Sequence, residues 1–266
     1  MSLTLSGWWG LAAATGAALA YAILALAAPR LGAGGTRSAL LVAWLLHALA
    51  LAEGLVGNPP RFGFAPALSM TVWLVLSVYA VESRLFPQLK ARWALAGLGS
   101  AAVLLALVFP GTGYPRIASP WLPLHWALGI ASYGLFAAAV VHGWLMNRSE
   151  RSIRLAAQPD TDVPLLTLER LTFRFVQAGF VLLTASLLVG WLFAELLYGP
   201  QLTGQWNHKT VFSMLAWLTF ASLLAGRARL GWRGRQAVGM LYLGSGLLLL
   251  GYAGSRFVLE VILKRT

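Results

Sequence analysis

The chain has 266 residues, 59% of them hydrophobic and 11% charged, and its mean hydropathy is +0.73; a water-soluble globule has no use for so much apolar surface and is excluded. The net charge of +12 sits in short loops without interleaved aromatics, so a nucleic-acid partner is not expected. The complete lack of cysteine excludes disulfides, thiolate catalysis, Cys-ligated zinc and a thiol relay within this chain.

In chain order, eight apolar stretches stand out, at residues 8–28, 38–55, 67–81, 93–109, 122–146, 171–197, 208–225 and 236–259. About 20 mainly apolar residues carry a helix across the hydrocarbon layer. The third stretch is short, which suggests tilt or partial burial, and the sixth is long enough to begin outside the hydrocarbon. These are continuous runs of Leu, Ala, Val and Gly, not the ten-residue alternations of a barrel strand. Only a helix satisfies its own backbone groups inside lipid. The fold class expected is therefore all-α: a polytopic membrane helix bundle of about eight transmembrane helices. Residues 1–266 form a single membrane domain, with residues 147–168, which carry Pro159 and Pro164, as a linker loop within it.

Assigning the loops alternately to two sides puts fourteen Lys and Arg on one side and six on the other. The positive-inside rule makes the richer side cytoplasmic and leaves both termini periplasmic. The first stretch has no basic residue before it, so it reads as a retained helix and not a cleaved signal peptide. The Arg-, Ala- and Leu-rich composition suits a bacterial inner (plasma) membrane, and the basic loops suit contact with anionic lipid headgroups. No Gly-rich loop followed by Lys and Ser/Thr is present, so the chain does not supply its own nucleotide-driven energy.

Two Gly/Pro-rich loops, at residues 111–123 and 198–207, lead into the fifth and seventh stretches. Trp121, Trp126 and Trp206 lie in or beside them, and each reads either as part of an interfacial aromatic belt or as the wall of a site. His125 opens the fifth stretch and His208 the seventh, on the same expected side. Each is either an interfacial histidine bonded to a loop carbonyl or one half of an imidazole pair holding a metal, His125 with His208. His47 is deep in the second stretch and reads either as a core histidine bonded to a neighbouring helix or as a deeper ligand. His142, beside the basic loop, reads as a core residue. Glu53, Glu195 and Lys209 suit an ion pair near the same side, and Lys209, beside His208, suits contact with an anionic cofactor group. No base–nucleophile pair or pair of carboxylates is set for catalysis in the outer loops.

Several segments resemble the CcsA-type cytochrome c assembly family, in its short YpjD/HemX-like branch. Leu124-His-Trp-Ala-Leu-Gly-Ile-Ala-Ser-Tyr is similar to the family's "His … Ser-Tyr" helix. Trp206-Asn-His-Lys-Thr-Val-Phe-Ser occupies the place of its tryptophan-rich signature. Gly231-Trp-Arg-Gly-Arg-Gln-Ala resembles the loop before its last helix, and Phe62-Gly-Phe-Ala-Pro-Ala-Leu-Ser-Met-Thr-Val-Trp the segment before its third. Trp206, Lys209 and Ser213 keep their places in the signature, whereas Asn207 stands for Asp, His208 for Pro and Thr210 for Glu, and no histidine follows His208.

The resemblance implies an inner-membrane haem-handling protein of cytochrome c assembly that presents haem b on the outer side. It implies that His125 is an outer-side haem ligand; His208 is our own addition as a substitute for a lost one. Trp121, Trp126 and Trp206 would shape the pocket and Lys209 would pair with a propionate, with His47 at a deeper station. Partners would be membrane lipid, haem, and apocytochrome c or another assembly subunit. The chain is not expected to be an enzyme by itself, but at most a component of a haem-attachment system. The alternative is a membrane scaffold or accessory protein that kept the fold without haem activity, a reading motivated by the thinned signature.

Overall fold

The computed structural model describes residues 5–27, 33–56, 61–85, 92–113, 121–155, 164–193, 208–254 and 257. Among them are eight α-helices: α1 (Leu5–Ala27), α2 (Ala33–Val56), α3 (Phe64–Leu85), α4 (Arg92–Val108), α5 (Trp121–Arg154), α6 (Leu165–Leu192), α7 (His208–Leu230) and α8 (Gly234–Leu249), the last continuing as a π-helical turn over Leu250–Gly254. Seven are long and apolar enough to cross a membrane, and α4, apolar over Ala94–Val108, is shorter. Large apolar side chains such as Leu26 (84% exposed), Val56 (83%) and Trp191 (76%) point outward. An outward apolar surface on this scale needs a lipid solvent. The molecule is a multi-pass membrane helix bundle.

Three expected boundaries move, each for a local reason. The third span starts earlier than expected, at Phe64, because Pro66 falls in the first turn, where its missing N–H costs nothing; as expected it is short, its apolar part Phe64–Val81 being the shortest of the seven spans at 18 residues. Among the described helices, the one that falls short of a full span is α4, with 17 residues. The sixth span starts earlier than expected because Pro164 is the N-cap of α6 and its carbonyl accepts from the N–H groups of Thr167 and Leu168. The residues expected as a linker at 147–168 are partly helical, since α5 runs through Arg154 and α6 begins at Leu165; residues 156–163 lie outside the described part.

A feature absent from the sequence reading is a two-residue antiparallel pairing of β1 (Arg61–Phe62) with β2 (Thr112–Gly113). Gly111 enters it at φ 79°, and a Cβ there would lie 2.5 Å from the Phe62 carbonyl oxygen. Only glycine fits that approach.

The helices group into two compact units. In the first, α1 packs on α2 and α4, and α3 on α4 and α2. Small residues let the helices approach, with Ala17 and Ala43 fully buried, as expected where lipid supplies no hydrophobic drive between helices. Polar contacts then fix register: Ser100 Oγ donates to the Ala18 carbonyl at 2.9 Å, Trp44 Nε1 donates to Ser77 Oγ at 2.8 Å, and the Trp44 and Trp73 rings stack at 4.7 Å.

The second unit is built from α5–α8. α5 packs most extensively on α6, with α7 on α8 and further contacts between α5 and α8 and between α6 and α7. Its centre is a layered stack. Gly179 of α6 faces Phe136 of α5, with the site of a Cβ 3.1 Å from the ring. Phe136 stacks on Phe220 of α7 at 3.8 Å and 4°. Phe220 in turn faces Gly244 of α8, 2.8 Å from its Cβ site. Two rings fill the space that two absent side chains leave.

Candidate functional site

The second unit has two differently furnished ends. At one, the α7–α8 turn closes on an ion-paired cluster. Gly231 and Gly234 adopt φ 65° and 55°, which turns the chain within a few residues. The Trp232 N–H donates to the Gly226 carbonyl at 3.2 Å. Arg227 pairs with Glu169 of α6, donates to the Trp232 carbonyl at 3.2 Å and lies 4.4 Å from the Phe173 ring centroid. Arg233 approaches the same carboxylate at 3.7 Å. The expected "Gly-Trp-Arg-Gly-Arg" loop is thus a structural clamp between α6, α7 and α8.

The opposite end carries His125 and His208. His125 lies in the first two turns of α5, half-buried, with Nδ1 2.9 Å from the main-chain oxygen of Ser186 on α6. A carbonyl only accepts, so Nδ1 carries the proton. The lone pair of the neutral ring is then on Nε2, the arrangement found in metal-ligating histidines. Ser186, 5% exposed, closes the contact by donating from Oγ to the His125 carbonyl at 3.3 Å. The ring also lies against Gly190, whose Cβ site is 3.1 Å from His125 Cε1. One turn before His125, Trp121 stacks on Phe193 at 4.0 Å and 8°, and Trp126 is half-buried beside it.

His208 is the first residue of α7 and is exposed. Register between α6 and α7 is set by Trp217 Nε1 donating to Thr184 Oγ1 at 2.9 Å. At about 1.5 Å per residue, His208 lies roughly one to two helical turns farther toward this end than His125. The two histidines therefore share one end of one unit, on helices that both pack on α6. Next to His208, Lys209 Nζ lies 5.8 Å from the Tyr252 ring centroid, and Tyr252 is 6.3 Å from Tyr133 of α5. Gly251, in the π-helical turn, lets this segment close on α7, its Cβ site being 2.9 Å from Phe212 Cβ. Trp206 and Glu195 lie outside the described residues.

His47 belongs to the first unit. It is 1% exposed, its Nε2 lies 2.8 Å from Ser69 Oγ of α3, and the Tyr21 ring of α1 meets it edge-on at 5.8 Å. Its Nδ1 and the Tyr21 hydroxyl have no hydrogen-bond partner among the described residues. His142 is buried on α5 and donates from Nδ1 to the Ala138 carbonyl at 2.8 Å, the core role expected of it. Glu53 covers Gly10 of α1, with Oε2 2.8 Å from the Cβ site.

Ser186 and Gly190 were missed by sequence reasoning. The available signal was their spacing, small residues four apart on a transmembrane helix, which marks a close approach. What approaches, here an imidazole, was not readable from that spacing. Among the described residues no group of three or more His, Cys, Asp or Glu side chains is placed for a metal ion. The donor set suits a metal that brings most of its own ligands. A porphyrin iron does, since it asks the protein for one or two axial groups.

Residues 34–263 match the family described as Cytochrome C assembly protein. The inner membrane protein YpjD of Escherichia coli is 28% identical over 264 residues, covering 92% of this chain and 97% of its own length. An uncharacterized 28.8 kDa protein of Azospirillum brasilense is 31% identical over 193 residues, covering 71% of this chain and 68% of its own. The cytochrome c biogenesis protein CcsA of Prochlorococcus marinus is 23% identical over 236 residues, covering 76% and 74%. No solved structure matches.

Proposed function

The chain belongs to the cytochrome C assembly protein family, and from that membership we propose that it binds haem b at the end of α5–α8 that carries His125 and His208 and serves cytochrome c assembly from the inner membrane. The observation that carries this reading is the His125 ring. Its Nδ1 proton is committed to the Ser186 carbonyl, which leaves Nε2 as the coordinating nitrogen. His208 supplies the second imidazole from the start of α7. Trp121 and Trp126 would wall the site, and Lys209 would be the cation for a propionate; Trp206, the third tryptophan expected there, lies outside the described residues. When bound, haem would supply an iron centre held by His125 and His208; the chain's part would be to hold, orient and release it.

The uneven distribution of Lys and Arg between the loops supports a periplasmic position for His125 and His208 under the positive-inside rule, where an apocytochrome c or another assembly subunit would meet them. The thiols of any attachment reaction come from that partner, because this chain has none. We keep His47 as a second, deeper ligand station. Ser69 and Tyr21 close on its ring, so α1–α3 must part to admit a porphyrin there.

The test is an absorption spectrum of detergent-purified protein from haem-replete cells. A low-spin bis-imidazole Soret band is expected, lost or converted to a high-spin form in His125→Ala and in His208→Ala. Colourless protein that takes up no added haem overturns the reading in favour of a scaffold that kept the fold alone.

A further inference from the structure

The contact between His125 and α6 has an unusual acceptor. The Ser186 carbonyl lies within a continuous helix that runs to Leu192, so it already receives the N–H of residue 190 in the ordinary i to i+4 ladder. A helical carbonyl has a second lone pair, but an outside donor seldom reaches it. Cα–Cβ bonds tilt toward the helix N-terminus, so the side chain at i+4 leans back over the carbonyl of residue i. At position 190 there is no side chain. The place its Cβ would take is 3.1 Å from His125 Cε1 and 3.4 Å from Nδ1, closer than a ring and a methyl group settle comfortably.

We propose that Gly190 is a positioning residue for His125. Its missing side chain opens the Ser186 carbonyl to the imidazole, which fixes the Nδ1-protonated tautomer and aims Nε2 as the iron ligand. The inference rests on the reading of His125 as an axial ligand. It adds a residue with no donor atom of its own to the site, and it explains why a glycine stands on the lipid-embedded helix facing that histidine.

The structure supplies a matched control. Gly179 is on the same helix, eleven residues earlier, and its Cβ site is likewise 3.1 Å from a ring of α5, that of Phe136. Gly179→Ala therefore crowds the same helix pair by a similar amount, roughly 16 Å from the histidine level. In Gly190→Ala, and more strongly in Gly190→Leu, haem affinity should fall by about ten- to a hundred-fold, the usual range for disturbing a group that orients a metal ligand. The Soret band should move toward a high-spin form, whereas Gly179→Ala should keep the wild-type band.

A haem-free readout accompanies it. Nitrogen-15 NMR of histidine-labelled protein, with His125 assigned through His125→Ala, should show Nδ1 protonated in the wild type and a mixed or reversed tautomer in Gly190→Leu. Wild-type protein with haem but an unchanged band and affinity in both Gly190 variants overturns the positioning role. So does a wild-type His125 protonated on Nε2, whether or not the variants fold. Colourless wild type with the expected tautomer shift defeats the haem reading, and with it Nε2 as an iron ligand, while the control of the His125 tautomer by Gly190 stands.

Discussion

Adding one methyl group at Gly244 should destabilise the second unit, and the structure says by how much and where the strain goes. A Cβ at Gly244 meets three carbons of Phe220 at 2.8, 2.8 and 3.1 Å, several tenths of an ångström inside comfortable contact. Phe220 is fully buried and cannot back away, because Phe136 lies flat against it at 3.8 Å. Phe136 is in turn stopped by the α6 backbone at Gly179. Overpacking of this kind costs about 1–3 kcal/mol, and the better helix propensity of Ala offsets up to about 1 kcal/mol. The net loss for Gly244→Ala should be about 1–2 kcal/mol. Phe220→Leu should cost a similar amount through the void it leaves, about 1–2 kcal/mol. In the double variant the leucine makes room for the methyl group, so the combined loss should fall short of the sum by about 1–2 kcal/mol, within the range of coupling seen for touching residues. Reversible unfolding in mixed detergent micelles, followed by tryptophan fluorescence, measures all three. Losses that add to within about 0.5 kcal/mol would show that the layered stack does not transmit the strain, and the reasoning would fall.

Two further outcomes follow from buried polar groups. Tyr21 is fully buried and its hydroxyl has no partner among the described residues; removing an unsatisfied group of this kind recovers a desolvation cost of about 1–3 kcal/mol, so Tyr21→Phe should leave unfolding unchanged or shift it upward, and a clear downward shift would mean that the hydroxyl is satisfied in the membrane. Glu169 anchors Arg227 and Arg233 while only 12% exposed, so Glu169→Ala should cost about 1–3 kcal/mol, between the values for surface and buried pairs, with Glu169→Gln losing less; an unchanged melting temperature in Glu169→Ala would show that the cluster contributes nothing.

Much of this architecture was readable from residues because lipid imposes a strict length and polarity on each span. The eight apolar runs became eight helices, and the Gly-Trp-Arg-Gly-Arg segment became a tight turn. Less legible were features decided by backbone. Pro66 fell just outside the expected third stretch and Pro164 in the expected linker, yet one sits in a first turn and the other caps a helix start, positions where proline is tolerated. The pairing of residues 61–62 with 112–113 is too short to leave a periodic signal. At the candidate site, His125 and Lys209 announced themselves by chemistry. Ser186 did not, since it acts through a main-chain oxygen that every residue type possesses. Gly190 did not either, because its part is played by an absent atom.

The small β pairing has a topological consequence. It joins the residues just before α3 to those just after α4, so these two helices are fastened at both extremities: covalently through residues 86–91, and by main-chain hydrogen bonds across the other end. The hairpin is in effect a ring with a single non-covalent seam. A nick between Leu85 and Arg92 would linearise that ring without releasing either arm, whereas loss of the seam at Gly111 would leave the arms tethered at one end and free to splay.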